Sequence, residues 1–212
     1  MMLRGLYAIT PDEADAAELE AAVTRLFAAA AGGCAALQYR NKSADAAVRL
    51  EQAQRLANLA RQHRVPFIVN DDVRLAIAVE ADGVHLGRDD GDVAAARAAF
   101  PGKLLGVSCY DSIASARIAV AAGADYVAFG SVFPSATKPG AVRAPLRLFA
   151  EARPLGVPLV AIGGITPQNA AAVLDAGADA LAVISALFDA PDIGARADEF
   201  ARLFATQPGA TV

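Results

Sequence analysis

Short apolar runs alternate along the chain with longer, alanine-rich segments that carry charged residues on one side. The runs have the length of buried strands, and the longer segments have the spacing of amphipathic helices. In the segment 43–62, an apolar helical stripe is expected at Ala46, Leu50, Ala53, Leu56 and Leu59. Eight strands are predicted, at residues 6–9, 35–39, 67–70, 84–86, 104–108, 126–130, 159–162 and 180–184.

The strand centres lie roughly 25 residues apart, and eight such units occupy about 200 residues, the lower end of the range for a (β/α)8 barrel. The predicted fold class is therefore α/β, a TIM barrel that forms a single domain over residues 1–212 with its core at about 5–205. An open, doubly wound sheet also alternates strands with helices, but it usually has fewer strands.

An internal repeat supports the barrel. The sequence AGADYVA at 122–128 resembles AGADALA at 176–182, and ADGV at 81–84 is a shorter version. Each copy is expected to place a helix-ending glycine and an aspartate turn before a buried strand. Such a helix-to-strand joint is what a repeated βα unit needs.

The composition describes a compact, non-membrane protein. Of the 212 residues, 55% are hydrophobic and 20% charged, which is enough apolar material for a core. The longest apolar run, 26–37, is well short of the roughly 20 residues that span a bilayer. The N-terminus lacks the apolar region of a signal peptide. Two cysteines, Cys34 and Cys109, suit reduced thiols and a cytoplasmic location.

A formal net charge of −4 without a long basic run argues against nucleic acid as a partner. Any anion must then be bound by local groups. A homo-oligomer is compatible with the sequence, which does not otherwise specify an oligomeric state.

In a barrel, the residues that follow each strand meet at one rim, where chemistry is located. After the second strand, the two-residue period of a strand points Gln38, Arg40 and Lys42 the same way, placing two cations and an amide at the barrel mouth. A solvated strand end would have the same composition.

Two pairs of carboxylates follow the third and fourth strands. Asp71 and Asp72 come after one, and Asp89 and Asp90 after the other. Across the mouth these groups would repel unless a cation lies between them, and Mg²⁺ typically takes one or two carboxylates together with phosphate oxygens. Helix capping by Asp72 and Asp90 is the alternative, and spacing alone leaves open which aspartate caps and which ligates.

A second group of anion-binding residues follows the last three strands. Ser135, Thr137 and Lys138 lie in the loop VFPSATKPG after the sixth strand. The glycine pair 163–164 after the seventh strand and Ser185 after the eighth expose backbone N–H groups at helix starts, a common phosphate site in barrels. An ordinary turn with a surface lysine is the competing interpretation of the loop. The sequence thus predicts two anion sites, for a diphosphate and a phosphate.

The two histidines contribute little to the predicted anion sites. His63 lies at a polar helix end, and His85 in mid-strand is expected to be a hydrogen-bonded core imidazole. No Ser-His-Asp arrangement is evident, and neither cysteine has metal-ligand spacing.

Seven motifs, in the order QYRNK, VNDD, GVHLGRDD, GVSCYD, GSVFPSATK, AIGGIT and AVIS, resemble thiamine phosphate synthases over about residues 5–190. The resemblance implies a (β/α)8 barrel that joins a pyrimidine diphosphate to a thiazole phosphate with Mg²⁺, releasing diphosphate by a dissociative displacement. It implies that the pyrimidine diphosphate is held by Gln38, Arg40, Lys42, Asn70, Ser108 and Lys138, with Arg40, Lys42, Ser108 and Lys138 as the catalytic residues. Tyr39 and Asn41 belong to the implied substrate-binding set as well. It also implies Asp71 and Asp90 as Mg²⁺ ligands, Ser135, Ala136 and Thr137 as the thiazole loop, and Gly164, Ile184 and Ser185 around the thiazole phosphate.

The related thiazole tautomerases share the barrel and phosphate site but need neither diphosphate nor Mg²⁺. They use a histidine near the position of Tyr110, so the tyrosine here favours the synthase. A phosphate-binding barrel without catalysis is a third possibility, although a sensor of one phosphate needs only the glycine site.

Overall fold

The computed structural model describes residues 3–13, 15–29, 33–88, 90–135, 140 and 142–205. Eight parallel strands close into a barrel in chain order, which confirms the predicted α/β barrel. The strands are β1 (Gly5–Ile9), β2 (Cys34–Tyr39), β3 (Phe67–Asn70), β4 (Gly83–Leu86), β5 (Leu104–Tyr110), β6 (Tyr126–Gly130), β7 (Leu159–Ile162) and β8 (Ala180–Val183).

Helices connect successive strands on the outside of the barrel. They are α1 (Ala16–Ala29), α2 (Ala46–His63), α3 (Val73–Ala78), α4 (Val93–Ala99), α5 (Ile113–Ala121), α6 (Arg147–Ala152), α7 (Ala170–Asp175), α8 (Ser185–Phe188) and α9 (Ile193–Ala205). Among the described residues, none of these helices combines the length and the apolarity needed to cross a membrane. Six of them start after a side chain that accepts the N–H three residues ahead, namely Asp15, Asp45, Asp72, Asp92, Ser112 and Asp192.

The buried face of α2 differs from the predicted stripe. It contains Gln52, Ala53, Leu56, Ala57, Leu59 and Ala60, whereas Ala46 is exposed and Leu50 is 46% exposed. Because the face that packs on the barrel is centred on Ala53, Leu56 and Ala60, Leu50 lies at its edge. The apolar period correctly predicted the helix and misplaced its first turn.

The alternation of each strand divides the core into two layers. One layer lies between barrel and helices and includes Leu37, Phe129 and Phe149. The other fills the barrel interior, with Tyr7, Ile9, Ile68, Tyr126 and Val160 beside alanines at positions 36, 128, 180 and 182. Small side chains at these interior positions leave room for a cavity above them.

The repeated Asp has a structural role at the amino-terminal ends of the strands. Each carboxylate precedes an even-numbered strand and accepts a hydrogen bond from the first N–H, or the second in β5, of the strand before it. The pairs are Asp82 with Phe67 at 2.9 Å, Asp125 with Leu105 at 2.7 Å, and Asp179 with Leu159 at 2.8 Å. The three aspartates therefore brace the end of the barrel opposite the rim where chemistry is expected.

The repeat also requires a left-handed residue at the helix end. Gly123 and Gly177 take φ values of +102° and +106°. The expectation of a helix-ending glycine is wrong for the shorter copy: Gly83 opens β4, and Glu80 stands at the helix-end position with φ +54°, a conformation that favours glycine.

Candidate active site

A cavity of about 540 Å³ opens at the carboxyl-terminal ends of the strands, and every strand or the loop after it contributes to its lining. Most of the predicted site residues line this cavity, namely Gln38, Arg40, Lys42, Asn70, Asp71, Asp90, Ser108, Ser135, Gly164, Ile184 and Ser185. Ala136, Thr137 and Lys138 lie outside the described residues.

Tyr39 and Asn41 lie behind the cavity wall. The Tyr39 hydroxyl donates to Oε1 of Gln52 on α2 at 2.9 Å, and Nδ2 of Asn41 donates to the same oxygen at 3.0 Å. The alternation that points Gln38, Arg40 and Lys42 inward necessarily turns the two intervening side chains toward the helices. Tyr39 and Asn41 therefore lie outside the main cavity, although they line a smaller pocket together with Lys42, Asn70 and Asp71.

Arg40 is held in place by the loop after β1. Its guanidinium forms a forked ion pair with Asp12, with N–O distances of 2.9 and 3.0 Å, and Thr10 Oγ1 exchanges two hydrogen bonds with the Arg40 backbone. Asp12 also accepts the Lys42 N–H at 2.8 Å. Sequence reasoning missed Thr10 and Asp12, although they follow the first strand and the same strand-end rule would have found them.

Two carboxylates from neighbouring strands meet at the rim. Lys42 Nζ lies 2.9 Å from Asp71 Oδ2, and Asp90 Oδ2 accepts the Gly87 N–H at 2.8 Å. Burial raises the pKa of Asp90 above its usual value, and a hydrogen bond and charge from Asp71 raise this pKa further. The pair is thus destabilised by like charge, which the Gly87 N–H and the Lys42 ammonium partly offset.

The capping alternative is resolved by the helix starts. Asp72 caps α3 by accepting the Leu75 N–H at 2.9 Å, which leaves Asp71 to the cavity. After β4 the cap is Asp92, two residues beyond Asp90. The expectation that one member of the 89–90 pair caps a helix is therefore wrong for Asp90, because α4 begins later; Asp89 lies outside the described residues.

The donor set fits a hard divalent cation. Two carboxylates in repulsive contact gain from a positive charge between them, and Mg²⁺ commonly takes one or two protein carboxylates with its other positions filled by water or phosphate oxygens. Within the described part of the chain, no cluster of three or more His, Cys, Asp or Glu side chains has metal-binding geometry. The fit therefore rests on Asp71 and Asp90 alone.

The second predicted anion site lies across the barrel from β3 and β4. Gly163 and Gly164 follow β7, and Ser185 follows β8. Gly163 and Gly164 have φ values of +103° and +64°, and a Cβ on Gly164 would lie 2.2 Å from the Pro134 carbonyl oxygen. The glycines thus let the loop after β6, which carries Ser135, pack directly on the end of β7. The expected helix start is found only after β8, where α8 begins at Ser185, because α7 begins six residues beyond Gly164.

A chain of buried polar side chains crosses the cavity floor. His85 is hydrogen-bonded at both ring nitrogens, as expected, to the Tyr126 hydroxyl at 3.1 Å and to Ser108 Oγ at 2.9 Å. It also lines the cavity together with Tyr7. Burial lowers the pKa of His85 to about 4, an effect that Asp90 partly opposes, so the imidazole is neutral at pH 7. Sequence reasoning missed Tyr7 and Tyr126, whose inward direction depends on strand register.

Tyr110 lines the same cavity at the end of β5, with φ +54°. Its ring centroid lies 4.5 Å from the Arg88 guanidinium carbon, and its hydroxyl oxygen accepts a hydrogen bond from the Arg88 backbone N–H with an N–O distance of 3.4 Å. Tyr110 therefore contacts the loop after β4, next to Asp90.

Comparison with known proteins agrees with this geometry. The family model described as thiamine monophosphate synthase matches residues 6–187. A thiamine-phosphate synthase of Methylobacillus flagellatus is 59% identical over 203 residues, covering 95% of this chain and 96% of the relative. One of Aromatoleum aromaticum is 61% identical over 204 residues, covering 95% and 97%.

Among solved structures, a thiamine phosphate pyrophosphorylase from Pyrococcus furiosus superposes with a TM-score of 0.82 at 36% identity, covering 96% of both chains. The resemblance found from the seven motifs is thus confirmed over nearly the whole length. The chain belongs to the thiamine monophosphate synthase family.

Proposed function

We propose that this chain is a transferase that joins a hydroxymethylpyrimidine diphosphate to a thiazole phosphate, giving thiamine phosphate and free diphosphate. The observation that carries the proposal is that one cavity has two different anion-binding walls. Arg40, Lys42 and the carboxylate pair line one wall, and Gly164 and Ser185 line the other. Two phosphorylated reactants bound at these walls would meet over the cavity floor.

The pyrimidine diphosphate is assigned to the β2–β5 side. Gln38 lies at the floor and is 2% exposed, which suits an amide that recognises a ring, while Arg40, Lys42, Asn70 and Ser108 lie above it. The thiazole phosphate is assigned to Gly164, Ile184 and Ser185, with Ser135 beside them. Ala136 and Thr137 stay predicted contacts of the thiazole, and Lys138 of the diphosphate.

Asp71 and Asp90 would hold Mg²⁺, which when bound neutralises charge on the leaving diphosphate. Arg40 and Lys42 would neutralise the remaining charge. A consequence for Lys42 follows from its ion pair with Asp71: an Asp71 shared with a cation holds the ammonium less strongly, which leaves Lys42 available to a phosphate oxygen.

The reaction needs orientation and charge stabilisation rather than a protein nucleophile. The bond between the pyrimidine methylene carbon and the diphosphate oxygen breaks, and both electrons leave with the diphosphate. The aminopyrimidine stabilises the resulting cation, and the thiazole nitrogen then donates its lone pair to form the new C–N bond. Groups fixed before the reaction, such as Arg40 in its Asp12 clamp, stabilise the developing charge without reorganising.

The tautomerase alternative is not favoured. The relatives at about 60% identity are named synthases, and the cation and carboxylate wall has no use in an isomerisation without diphosphate. A cytoplasmic location is supported by the free thiols of Cys34 and Cys109. The single domain over 1–212 and a homo-oligomeric state stay predictions.

The test mixes purified protein with the pyrimidine diphosphate, the thiazole phosphate and Mg²⁺, and measures thiamine phosphate by chromatography. Product should form and should stop when Mg²⁺ is chelated. Neighbouring aspartates provide a matched pair: Asp71→Asn should lower kcat/KM by about 100-fold or more, as for the loss of one group that stabilises the transition state. Asp72→Asn, which keeps the α3 cap, should retain activity. Equal activity of the two variants, or full turnover with excess chelator, would contradict the site assignment.

A further inference from the structure

Five side chains form one continuous hydrogen-bond chain across the floor of the cavity. Its links are Gln38 Nε2 to the Tyr7 hydroxyl at 2.9 Å, Tyr7 to the Tyr126 hydroxyl at 2.7 Å, Tyr126 to His85 Nδ1 at 3.1 Å, and His85 Nε2 to Ser108 Oγ at 2.9 Å. Gln38, Tyr7, Tyr126 and His85 are all less than 10% exposed. We call these five residues the floor chain.

Each inner member of the floor chain has one proton to give and must accept one in return. A tyrosine hydroxyl donates once, and a neutral imidazole has one donor nitrogen and one acceptor nitrogen. Gln38 donates to Tyr7, so Tyr7 must donate to Tyr126, and Tyr126 must donate to His85 Nδ1. His85 then carries its proton on Nε2 and donates to Ser108. The orientation of one amide therefore fixes the direction of every later link.

The direction of the hydrogen bonds in the floor chain decides whether Ser108 can donate its proton to a ligand in the cavity. In this arrangement Ser108 Oγ accepts from His85, so its own proton is available to a group in the cavity. If the Gln38 amide were turned over, Tyr7 would donate to Gln38 and all links would reverse. Ser108 would then donate to His85 and would have no proton for the substrate.

The same amide orientation also determines which ring edge Gln38 recognises. With Nε2 committed to Tyr7, Oε1 is the atom left to accept from a ligand, and no hydrogen bond to Oε1 is found among the described residues. An exocyclic amino group on a ring is the complementary donor. A ring that presents a carbonyl there would instead favour the overturned amide and the reversed chain.

We propose that Tyr7, Tyr126 and His85 are positioning residues, which couple recognition of the amino group by Gln38 to the presentation of the Ser108 proton to the leaving diphosphate. This inference rests on the proposed function, since it assigns the ring to Gln38 and the diphosphate to Ser108. It adds a specificity rule: the correct ring sets the chain in the direction that assists departure of the leaving group.

Close packing of aromatic rings holds the centre of the floor chain in place. The Tyr126 ring is seated against Gly106 of β5, where a Cβ would lie 2.0 Å from its Cζ. The His85 and Tyr126 rings stack with centroids 5.6 Å apart, and those of Tyr7 and Tyr126 meet edge to face at 6.0 Å. The close packing holds these rings in place, so a reversal of the floor chain rotates the amide and the hydroxyl hydrogens and exchanges the His85 proton on Nε2 for one on Nδ1.

A double-mutant cycle separates this role from a merely structural one. Tyr126→Phe keeps the ring and breaks the chain, and should lower kcat by about 10- to 100-fold with the KM for the pyrimidine diphosphate within about twofold of wild type. In a Ser108→Ala background the same change should lower kcat by less than about twofold. Phe149→Leu, a fully buried change on α6 away from the chain, controls for lost stability and should leave kcat unchanged.

Equal effects of Tyr126→Phe with and without Ser108 would overturn the proposal, as would a fall in melting temperature with normal kcat. Should Tyr126→Phe fail to fold, Tyr7→Phe breaks the chain one link earlier and gives the same test.

The tautomer of His85 gives a readout that does not depend on activity. The protein has only two histidines, so His63→Gln leaves one imidazole, that of His85, in a ¹⁵N NMR spectrum. With the pyrimidine diphosphate and Mg²⁺ bound, and no thiazole present, the proton should be on Nε2. A proton on Nδ1, or on both nitrogens, would overturn the proposal. Failure of the wild type to make thiamine phosphate would instead contradict the proposed function, while the tautomer would still test the direction of the chain.

Discussion

Asp90→Asn should make the protein more stable in the absence of a divalent cation and inactive in its presence. The substitution keeps the shape of the side chain, and the amide oxygen can still accept the Gly87 N–H that Asp90 Oδ2 accepts at 2.8 Å. What it removes is one of two like charges, because Asp71 lies within hydrogen-bonding reach of Asp90. The amide N–H₂ can also donate to Asp71, which turns a repulsive contact into an attractive one.

The magnitude follows from Coulomb's law with screening. Two charges about 4 Å apart repel by about 1 kcal/mol in water and about 4 kcal/mol at an effective dielectric of 20. Both carboxylates are partly solvated, and Lys42 Nζ lies 2.9 Å from Asp71, so solvent and the ammonium offset most of the larger figure. We therefore expect Asp90→Asn to raise the free energy of unfolding by about 1 kcal/mol in chelator at pH 7.

The pH dependence has a definite sign. The pKa of Asp90 in the folded protein is raised above its ordinary value of 3.8, so the fold favours the protonated carboxyl. This contribution to stability is fully present below pH 3.8 and is lost as the pH rises through the raised pKa. The stability difference between Asp90→Asn and wild type should therefore be small in acid and grow as the pH rises.

The assay is urea unfolding, followed by circular dichroism, across this pH range in chelator and again with Mg²⁺. Wild type should gain about 2.7 kcal/mol when Mg²⁺ is present at 100 times its dissociation constant, and Asp90→Asn should gain far less. Asp92→Asn, which conserves the α4 cap, should resemble wild type in both conditions. The reasoning is refuted if Asp90→Asn is less stable than wild type at pH 7 in chelator, or if the difference widens toward acid.

Two further predictions concern backbone conformation. Gly164→Ala should raise the KM for both reactants by about tenfold, because its Cβ would meet the Pro134 carbonyl oxygen at 2.2 Å and displace the loop that carries Ser135. Steady-state kinetics measure this change, and the control is Gly140→Ala, whose Cβ would meet nothing within 4 Å and which should leave both KM values unchanged. Glu80→Gly should raise the free energy of unfolding by about 0.5–1 kcal/mol, since φ is +54° and relief of left-handed strain exceeds the added chain entropy; an unchanged urea midpoint would disprove it.

The barrel was predictable because each βα unit carries its own local signals. Apolar runs located all eight strands to within about two residues, and the rule that chemistry follows the strand ends brought most site residues into one cavity. The same rule applied to β1 would have found Thr10 and Asp12. Both residues follow β1 directly and contact Arg40 in the folded barrel.

Other features depend on distances that a sequence does not encode. Tyr39 and Asn41 belong to the motif QYRNK, yet strand alternation sends them to the helix side. The floor chain joins residues up to 119 positions apart, so its links exist only after the barrel closes. Likewise, the need for glycine at Gly164 comes from a loop on the neighbouring strand and not from a helix start.

The barrel uses aspartate in opposite ways at its two ends. At the amino-terminal end, Asp82, Asp125 and Asp179 each accept a backbone N–H of a strand, so their removal should cost stability and leave the cavity intact. At the carboxyl-terminal rim, Asp71 and Asp90 repel each other, so neutralising one should gain stability and cost turnover. The hydrogen bonds at the strand starts thus offset part of the stability that the repulsion at the rim removes. Because the two groups lie at opposite ends of the same strands, changes in stability and changes in catalysis should separate by position along each strand.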